Sequence, residues 1–306
     1  MDATMIFTQI VNALMLGCTY TLVAIGFSLF FGVLDVVVFC SGDIAIFGAF
    51  AVMGSYAIIS STALGGLPAP IMILLVVIIA AILCAVLGLL TYHFSIKPFE
   101  GAPPLMPLLS TIALGIVIRE ALGLFYPQGR NPQAFPELIP TGTVGDVAVL
   151  SFRNIFIIAV TVVILIVLFT FLSKTKMGTS MQAIAQNREL AYMTGINIRS
   201  TITFTFILGG VLLSLAGFLI GSYSGTLRFD AGSMYGIKGF SAAVVGGLRN
   251  IYGAIVGGML LGFIEVIVSC FRGGSAWASA VAFLFVVIFM IFKPEGIIGE
   301  RTTEKV

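Results

Sequence analysis

Long apolar runs dominate this 306-residue sequence and leave few folds open to it. A bilayer core about 30 Å thick needs roughly 20 apolar residues in helical form for each crossing. In lipid the backbone polar groups must be satisfied within the spanning structure, which restricts it to helices or a closed barrel. The runs are continuous stretches rich in Leu, Ile, Val and Phe and show no period-2 alternation. The sequence therefore predicts an all-α, polytopic transmembrane bundle.

Short connections containing proline and glycine separate the runs, as at Gly65–Pro68, Pro98–Pro107 and Pro127–Pro140. We predict eight spans, with a ninth possible: 6–32, 36–59, 69–94, 104–126, 150–172, 202–224, 239–268 and 276–292. No polar stretch is long enough for a second globular unit, so residues 1–306 are predicted to form one transmembrane domain.

The composition excludes several classes of function. Hydrophobic residues make up 59% of the chain and charged residues only 9%, against roughly 25% charged in soluble domains. No basic run suggests nucleic acid, and the four cysteines (Cys18, Cys40, Cys84, Cys270) lack metal-ligand spacing. There is no phosphate-binding loop, no H-E-x-x-H motif and a single histidine, His93. We therefore predict no catalytic residue, metal or cofactor; if ATP drives this protein, another chain hydrolyses it.

Lysine and arginine in short loops predict the orientation. The most cationic loop, Ser173–Ser200, is placed in the cytoplasm, which puts the N-terminus and the loop Tyr126–Arg153 outside. The C-terminal tail should also be cytoplasmic because it carries Lys293, Arg301 and Lys305. Three single crossings after the cationic loop would place that tail outside. Either 239–268 crosses twice or the spans near the C-terminus are miscounted.

Glycine and charged residues interrupt two of the apolar runs. The first interruption is Gly32–Asp43, and the second contains Gly246-Gly247 and Arg249-Asn250. Broken membrane helices persist only where the irregular backbone is buried in protein or lines a cavity, and such pairs mark the binding site in many transporters. The candidate substrate-pathway residues are Ser41, Gly42, Asp43, Gly246, Gly247 and Glu265.

Each interruption also has a structural interpretation. Charged groups at membrane depth should face protein or water, so Asp43 and Glu265 are predicted to lie inside the bundle. Glu265 could instead pair with an arginine to hold helices together. Asp35 and Arg249 could sit at helix ends in the membrane interface. The small-residue spacing of Gly253, Gly257, Gly258 and Gly262 favours tight helix packing.

Apolar residues stand among polar ones in the loop 173–200, which predicts a short amphipathic helix ending near Gly195. Such a helix could lie on the membrane surface. However, the loop contains more Gln, Asn and Thr than basic residues, which favours a protein partner.

Three stretches resemble the branched-chain amino acid permeases of the LivH type, the membrane subunits of ATP-driven importers for hydrophobic amino acids. The opening helix contains NALMLGCTY at Asn12–Tyr20, and the loop contains GTSMQAIAQNRELAYMTGI at Gly178–Ile196. The third and most specific stretch is Gly236–Glu265, followed by Lys293–Gly299. The chain departs from the family pattern at two places. Val38–Asp43 stands where the family has an Asn-Phe-Ala-His-Gly-Glu-like string, and Gln182 stands where it has an arginine.

The resemblance implies a multi-pass protein of the bacterial inner membrane that pairs with a second, related permease. Two cytoplasmic ATPase subunits and a soluble binding protein would complete the importer. The implied ATPase-docking loop spans about 173–200, and its candidate residues are Gly178, Gln182, Ala183, Asn187, Glu189 and Gly195. Relatives handle amino acids, amides and urea, so the resemblance leaves the substrate open among these.

Two other classes of function compete with the importer. An ion-coupled secondary transporter could use Asp43 and Glu265 as its coupling carboxylates, since broken helices suit that class equally well. A membrane-embedded enzyme is the weaker alternative, because no nucleophile–base pair or metal pattern is recognisable.

Overall fold

The computed structural model describes residues 3–62, 68–139, 151–271 and 273–298. Within them the helices are α1 (Ala3–Leu34), α2 (Ser41–Ser60), α3 (Ala69–Thr91), α4 (Leu105–Phe125), α5 (Phe152–Lys174), α6 (Lys176–Gln186), α7 (Arg188–Met193), α8 (Ile198–Ser224), α9 (Ala231–Gly246), α10 (Ile251–Ser269) and α11 (Gly274–Phe292). A π-helical turn (Tyr92–Ile96) and a 3-10 turn (Lys97–Phe99) extend α3. Strands β1 (Gln133–Ala134) and β2 (Thr226–Leu227) pair antiparallel. The all-α prediction is confirmed.

In the described part of the chain, eight helices are long and apolar enough to cross a bilayer. Seven of the predicted spans each correspond to one of these helices. The predicted span 239–268 is wrong as a single helix, because α9 ends at Gly246 and α10 begins at Ile251. The four residues between them include Gly247, Arg249 and Asn250, so the helix breaks at the interruption that the sequence predicts.

Contacts between the connections show which segments share an end of the bundle. Arg249, between α9 and α10, donates to the carbonyl of Ala185 in α6 at 3.2 Å. After α11, Ile297 donates to the carbonyl of Val245 in α9 at 2.8 Å. These segments lie together at what we call the loop end. The β1–β2 pair joins the α4–α5 and α8–α9 connections at the opposite end, the strand end.

Helices α9 and α10 pack side by side as an antiparallel hairpin. A side chain at Gly246 would collide with the backbone of Gly253, and one at Gly257 would meet the carbonyl of Ala242. The 16 residues of α9 extend about 24 Å, and they add a ninth passage between the two ends. The segment after α11 therefore lies at the loop end, as the double-crossing alternative requires. The tail beyond residue 298, with Arg301 and Lys305, is outside the described residues.

Helices α1, α2 and α8 form the interior, and α3, α4, α5 and α11 lie largely outside them. Small residues and stacked rings allow this close packing. The rings of Phe30 in α1 and Phe206 in α8 stack with centroids 4.6 Å apart. Gly258 and Gly262 of α10 lie against the backbone of α1. The packing interpretation of this glycine series is confirmed.

Candidate transport site and coupling contacts

The first interruption begins where α1 ends at Leu34. Asp35 has a φ of +56°, a conformation that costs energy for a side chain with a Cβ and turns the chain sharply. Residues 35–40 are not helical apart from turns, and the helix resumes at Ser41. The predicted break is therefore present, and its charged residue Asp35 occupies the turn.

From this turn the chain runs back along α9, in the opposite direction to that helix. Phe39 packs on Phe240 with ring centroids 5.3 Å apart. One turn further on, Gly42 lies so close to Gly232 and Gly236 that a Cβ on Gly42 would collide with their backbones. The beginning of α2 is thus held against the first half of α9, beside the interior residues of α1.

Asp43, in the first turn of α2, is buried and forms an ion pair with Arg119 of α4. Arg119 Nε donates to Oδ1 at 3.2 Å and Nη2 donates to Oδ2 at 3.3 Å. The carboxylate also lies against Gly115 and Gly232, where any side chain would meet its oxygens. A buried charge needs such a partner, and a negative charge near a helix N-terminus is additionally favoured by the helix dipole.

The candidates Ser41 and Gly42 are also buried. The Ser41 hydroxyl donates to the carbonyl of Val38 at 2.6 Å and so stabilises the turn into α2. The structure therefore brings Ser41, Gly42 and Asp43 together at one junction between α2, α4 and α9. It does not bring Gly246 and Gly247 to this junction, since they lie at the loop end.

The second interruption is closed by hydrogen bonds at both helix ends. Gly247 has a φ of +107°, which ends α9. The Asn250 side chain accepts from the amides of Tyr252 (2.9 Å) and Gly253 (3.4 Å) and caps α10. Ile298 donates to the carbonyl of Gly246 at 3.1 Å, so the segment after α11 satisfies the end of α9. The glycines here serve a tight, capped turn.

Arg249 connects the two interruptions to the loop 173–200. Its guanidinium donates to the carboxylate of Asp35 and also to the carbonyl of Ala185 in α6. One side chain of the α9–α10 turn therefore contacts both the residue after α1 and the predicted docking loop. The prediction that Asp35 and Arg249 could sit at helix ends is confirmed, and their pairing is a feature that the sequence did not reveal.

Glu265 belongs to a buried network that joins four helices. Lys238 of α9 donates to Oε1 at 2.5 Å and to the Tyr20 hydroxyl at 2.9 Å. Tyr20 of α1 donates to Oε2 at 2.8 Å, and Ser279 of α11 donates to Oε1 at 3.3 Å. The suggested arginine partner of Glu265 is wrong, because the partner is Lys238. A lone lysine within an apolar helix needs an acidic partner, so the sequence could have indicated that Lys238 has one, although not which.

The loop 173–200 contains two short helices, α6 and α7, where one was predicted. Thr175 caps α6 by accepting from the amide of Gly178 at 3.0 Å. Asn187 caps α7 by accepting from the amides of Glu189 (2.9 Å) and Leu190 (3.0 Å). Gly195 has a φ of +82° and ends the loop's helical part, as predicted.

The two faces of this loop differ. Met181, Ile184 and Ala191 are buried against the bundle. The opposite face exposes Gln182 and Glu189, and it also presents an apolar patch of Leu190, Tyr192 and Met193, which are 60–79% exposed; Ala183 lies half-buried between the two faces. We call Leu190, Tyr192 and Met193 the α7 patch.

Sequence comparison relates the chain to known transport proteins over almost its whole length. The family described as branched-chain amino acid transport system / permease component matches residues 9–291. The branched-chain amino acid transport permease protein BraD of Pseudomonas aeruginosa is 32% identical over 303 residues, covering 97% of each chain. The LivH permease proteins of Salmonella typhimurium and Escherichia coli K12 are each 28% identical over 304 residues, again covering 97% of each chain. The chain is therefore a multi-pass inner-membrane protein that belongs to the permease components of branched-chain amino acid transport systems.

Proposed function

We propose that this chain is the membrane-spanning permease of an ATP-driven importer for branched-chain amino acids, with ATP hydrolysed by separate cytoplasmic subunits. The observation that carries the proposal is the loop formed by α6 and α7. Its inner face is bonded through Arg249 to both helix interruptions, and its outer face exposes the α7 patch. Exposed apolar patches mark contacts with proteins or membranes, and the exposed Gln182 and Glu189 on the same face favour a protein partner.

In the mechanism that follows, a displacement passes from the ATPase through α6 to the interrupted helices. An ATPase subunit docked on the α7 patch would displace α6, and Met181 and Ile184 would pass this displacement to the bundle because they are buried against it. Arg249 would pass this displacement to Asp35 and to the α9–α10 turn. Since residues 35–43 lie along α9, both interrupted segments would shift together and change access to the junction at Asp43.

The partners follow from the same proposal. A second, related permease, two ATPase subunits and a soluble binding protein outside the membrane would complete the importer. The family membership supports this assembly over an ion-coupled transporter. Asp43 and Glu265, which such a transporter would need as titrating groups, are each already paired with a cation.

Transport by reconstituted protein tests the proposal. In proteoliposomes that contain the chain, its partner permease and the ATPase, with the binding protein added, we expect leucine, isoleucine and valine uptake to require ATP. Uptake by the chain alone on a proton or sodium gradient would contradict it. Accumulation of urea or a short amide in place of leucine would retain the importer and change the substrate.

Docking on the loop is tested by the double variant Tyr192→Ser/Met193→Ser. We expect at least a tenfold loss of ATPase binding, because the patch loses most of its apolar surface. The control is Leu124→Ser/Phe125→Ser, two adjacent apolar residues that are exposed at the strand end of α4. Equal loss of ATPase binding in both variants would remove the docking assignment.

A proline in α6 tests transmission of the motion. In Ala185→Pro the ring removes a backbone hydrogen bond and distorts the last turn of α6, where Arg249 is bonded. We expect uptake to fall while the assembled complex still hydrolyses ATP. Normal uptake by this variant would show that α6 does not couple the two processes.

A further inference from the structure

Two adjoining grooves open at the loop end between the end of α3 and the beginning of α8. One has a volume of about 350 Å³ and the other about 420 Å³. Arg199 and Thr203 line both, so the grooves form one continuous depression. Its polar part contains Lys97, His93 and Tyr92 from the α3 side.

The charge in this depression is predominantly positive. In the described part of the chain, neither Lys97 nor Arg199 forms an ion pair with a carboxylate. The nearby acid, Glu100, accepts from the Tyr92 hydroxyl at 3.2 Å and does not line either groove. Arg199 interacts with this neutral phenol, and no carboxylate within the described residues neutralises either cation by direct ion pairing, so both can contact an anionic ligand.

The remaining wall is apolar and belongs to helices that cross the bilayer. Its residues are Leu89 and Leu90 of α3 and Phe204 and Ile207 of α8. They lie one to three helical turns from the cations on the side away from the loop end. A ligand that fills the whole depression must therefore combine a negative head with an apolar chain along the helices.

We propose that this depression binds the headgroup phosphate of an anionic phospholipid, with the guanidinium of Arg199 and the ammonium of Lys97 as its cationic contacts. A guanidinium presents paired donors that match phosphate oxygens, and Thr203, whose hydroxyl donates to the carbonyl of Arg199 at 2.8 Å, lines the depression beside it. The apolar wall holds the start of an acyl chain. Basic pockets between transmembrane helices on the cytoplasmic side have this chemistry, and the loop end is the side that the lysine and arginine distribution places in the cytoplasm.

The proposed lipid site adjoins the loop 173–200. Met177 of α6 and Asn197, whose side chain caps α8 through the amide of Ser200 at 3.1 Å, line the second groove. A lipid bound there contacts the last part of the loop 173–200 before it enters α8. The site is independent of the proposed transport function, because it requires neither ATPase nor substrate.

Native mass spectrometry of the full chain, purified in detergent and delipidated, tests the proposal. We expect phosphatidylglycerol to be retained in preference to phosphatidylethanolamine. In Lys97→Gln/Arg199→Gln this preference should fall roughly ten- to thirtyfold, from the contribution of about 1 kcal/mol for each cation near a membrane surface. The control Lys174→Gln/Arg188→Gln removes two exposed cations at the same end but outside the grooves and should retain the preference.

Two further arms separate the possible sources of the phosphate and a folding defect. Free glycerol 3-phosphate at the lipid concentration should not displace phosphatidylglycerol, because it lacks the acyl chain. Lys97→Arg/Arg199→Lys keeps both charges and should keep the preference. Equal retention of the two lipids by the unaltered chain, an unchanged preference in the double glutamine variant, or displacement by glycerol 3-phosphate would each overturn the proposal.

Discussion

Arg249 donates to the carboxylate of Asp35 although 214 residues separate them in the sequence. The pair is partly exposed, with 49% of the Arg249 side chain and 61% of the Asp35 side chain accessible. Exposed ion pairs contribute little to stability, about 0–1 kcal/mol. The importance of this pair therefore lies in what it connects, namely the end of α1, the α9–α10 turn and α6.

Replacing this arginine should separate stability from transport. In Arg249→Gln we expect the thermal unfolding temperature in detergent to change little and ATP-driven uptake to fall at least fivefold. Restored uptake in the exchanged pair Asp35→Arg/Arg249→Asp would show that the pairing itself matters. Arg228→Gln, which breaks a similarly exposed pair with Asp230 at the strand end, is the control and should leave uptake unchanged.

In the buried network at Glu265, by contrast, loss of one charged partner should lower the stability strongly. Glu265→Gln leaves the Lys238 ammonium buried without its charged partner, and such changes cost about 3–5 kcal/mol. The double variant Lys238→Met/Glu265→Leu removes both charges and should be less destabilised than Glu265→Gln alone. Equilibrium unfolding in mixed micelles measures both. A double variant that is destabilised as much as Glu265→Gln or more would contradict a coupled pair.

Asp43 and Arg119 form a less enclosed pair, because 24% of the Arg119 side chain is accessible against 6% for Asp43. Arg119→Gln leaves the more deeply buried charge without a partner, so it should be the more destabilising change, by about 2–3 kcal/mol. Asp43→Asn should cost less, since water can reach the remaining guanidinium. A double-mutant cycle with equal single losses would refute this asymmetry.

Gly42 should tolerate no side chain. In Gly42→Ala the added Cβ would meet the backbones of Gly232 and Gly236, and overpacking of this kind costs about 1–3 kcal/mol. Gly32→Ala is the matched control ten residues earlier, where the new Cβ would meet only Ala185 at an ordinary contact distance of 3.6 Å. Because alanine favours a helix over glycine by about 1 kcal/mol, this control should be neutral or stabilising in the same unfolding measurement.

Hydropathy predicted the helices well because the length of a membrane span is set by the bilayer, whatever the helix contacts. It counted 239–268 as one span, whereas the positive φ of Gly247 and the cap at Asn250 divide this stretch into two helices. The ion pairs were not predictable individually. Glu265 and Lys238 are 27 residues apart on helices whose antiparallel pairing the pattern alone does not give.

The candidate site could be predicted in part, because the bilayer also restricts where irregular backbone and charge occur. Glycine and charge within an apolar run located both interruptions, because lipid tolerates neither without compensation. Their relative positions depend on the return of residues 35–43 along α9. That return depends on the turn at Asp35 and on the close approach of Gly42 to Gly232, which no periodicity in the sequence records.

Among the described helices α1 is synthesised first, yet two of its polar side chains bond to segments that are made much later. Tyr20 bonds to Lys238 and Glu265, and the Thr21 hydroxyl donates to the carbonyl of Ile255, more than 210 residues later in the chain. At synthesis rates of about 5–20 residues per second, this delay is on the order of ten to fifty seconds. During that interval the Tyr20 and Thr21 hydroxyls lack these partners. The interior around α1 therefore cannot be completed until α9 and α10 have been synthesised, so biogenesis must keep this helix accessible until they arrive.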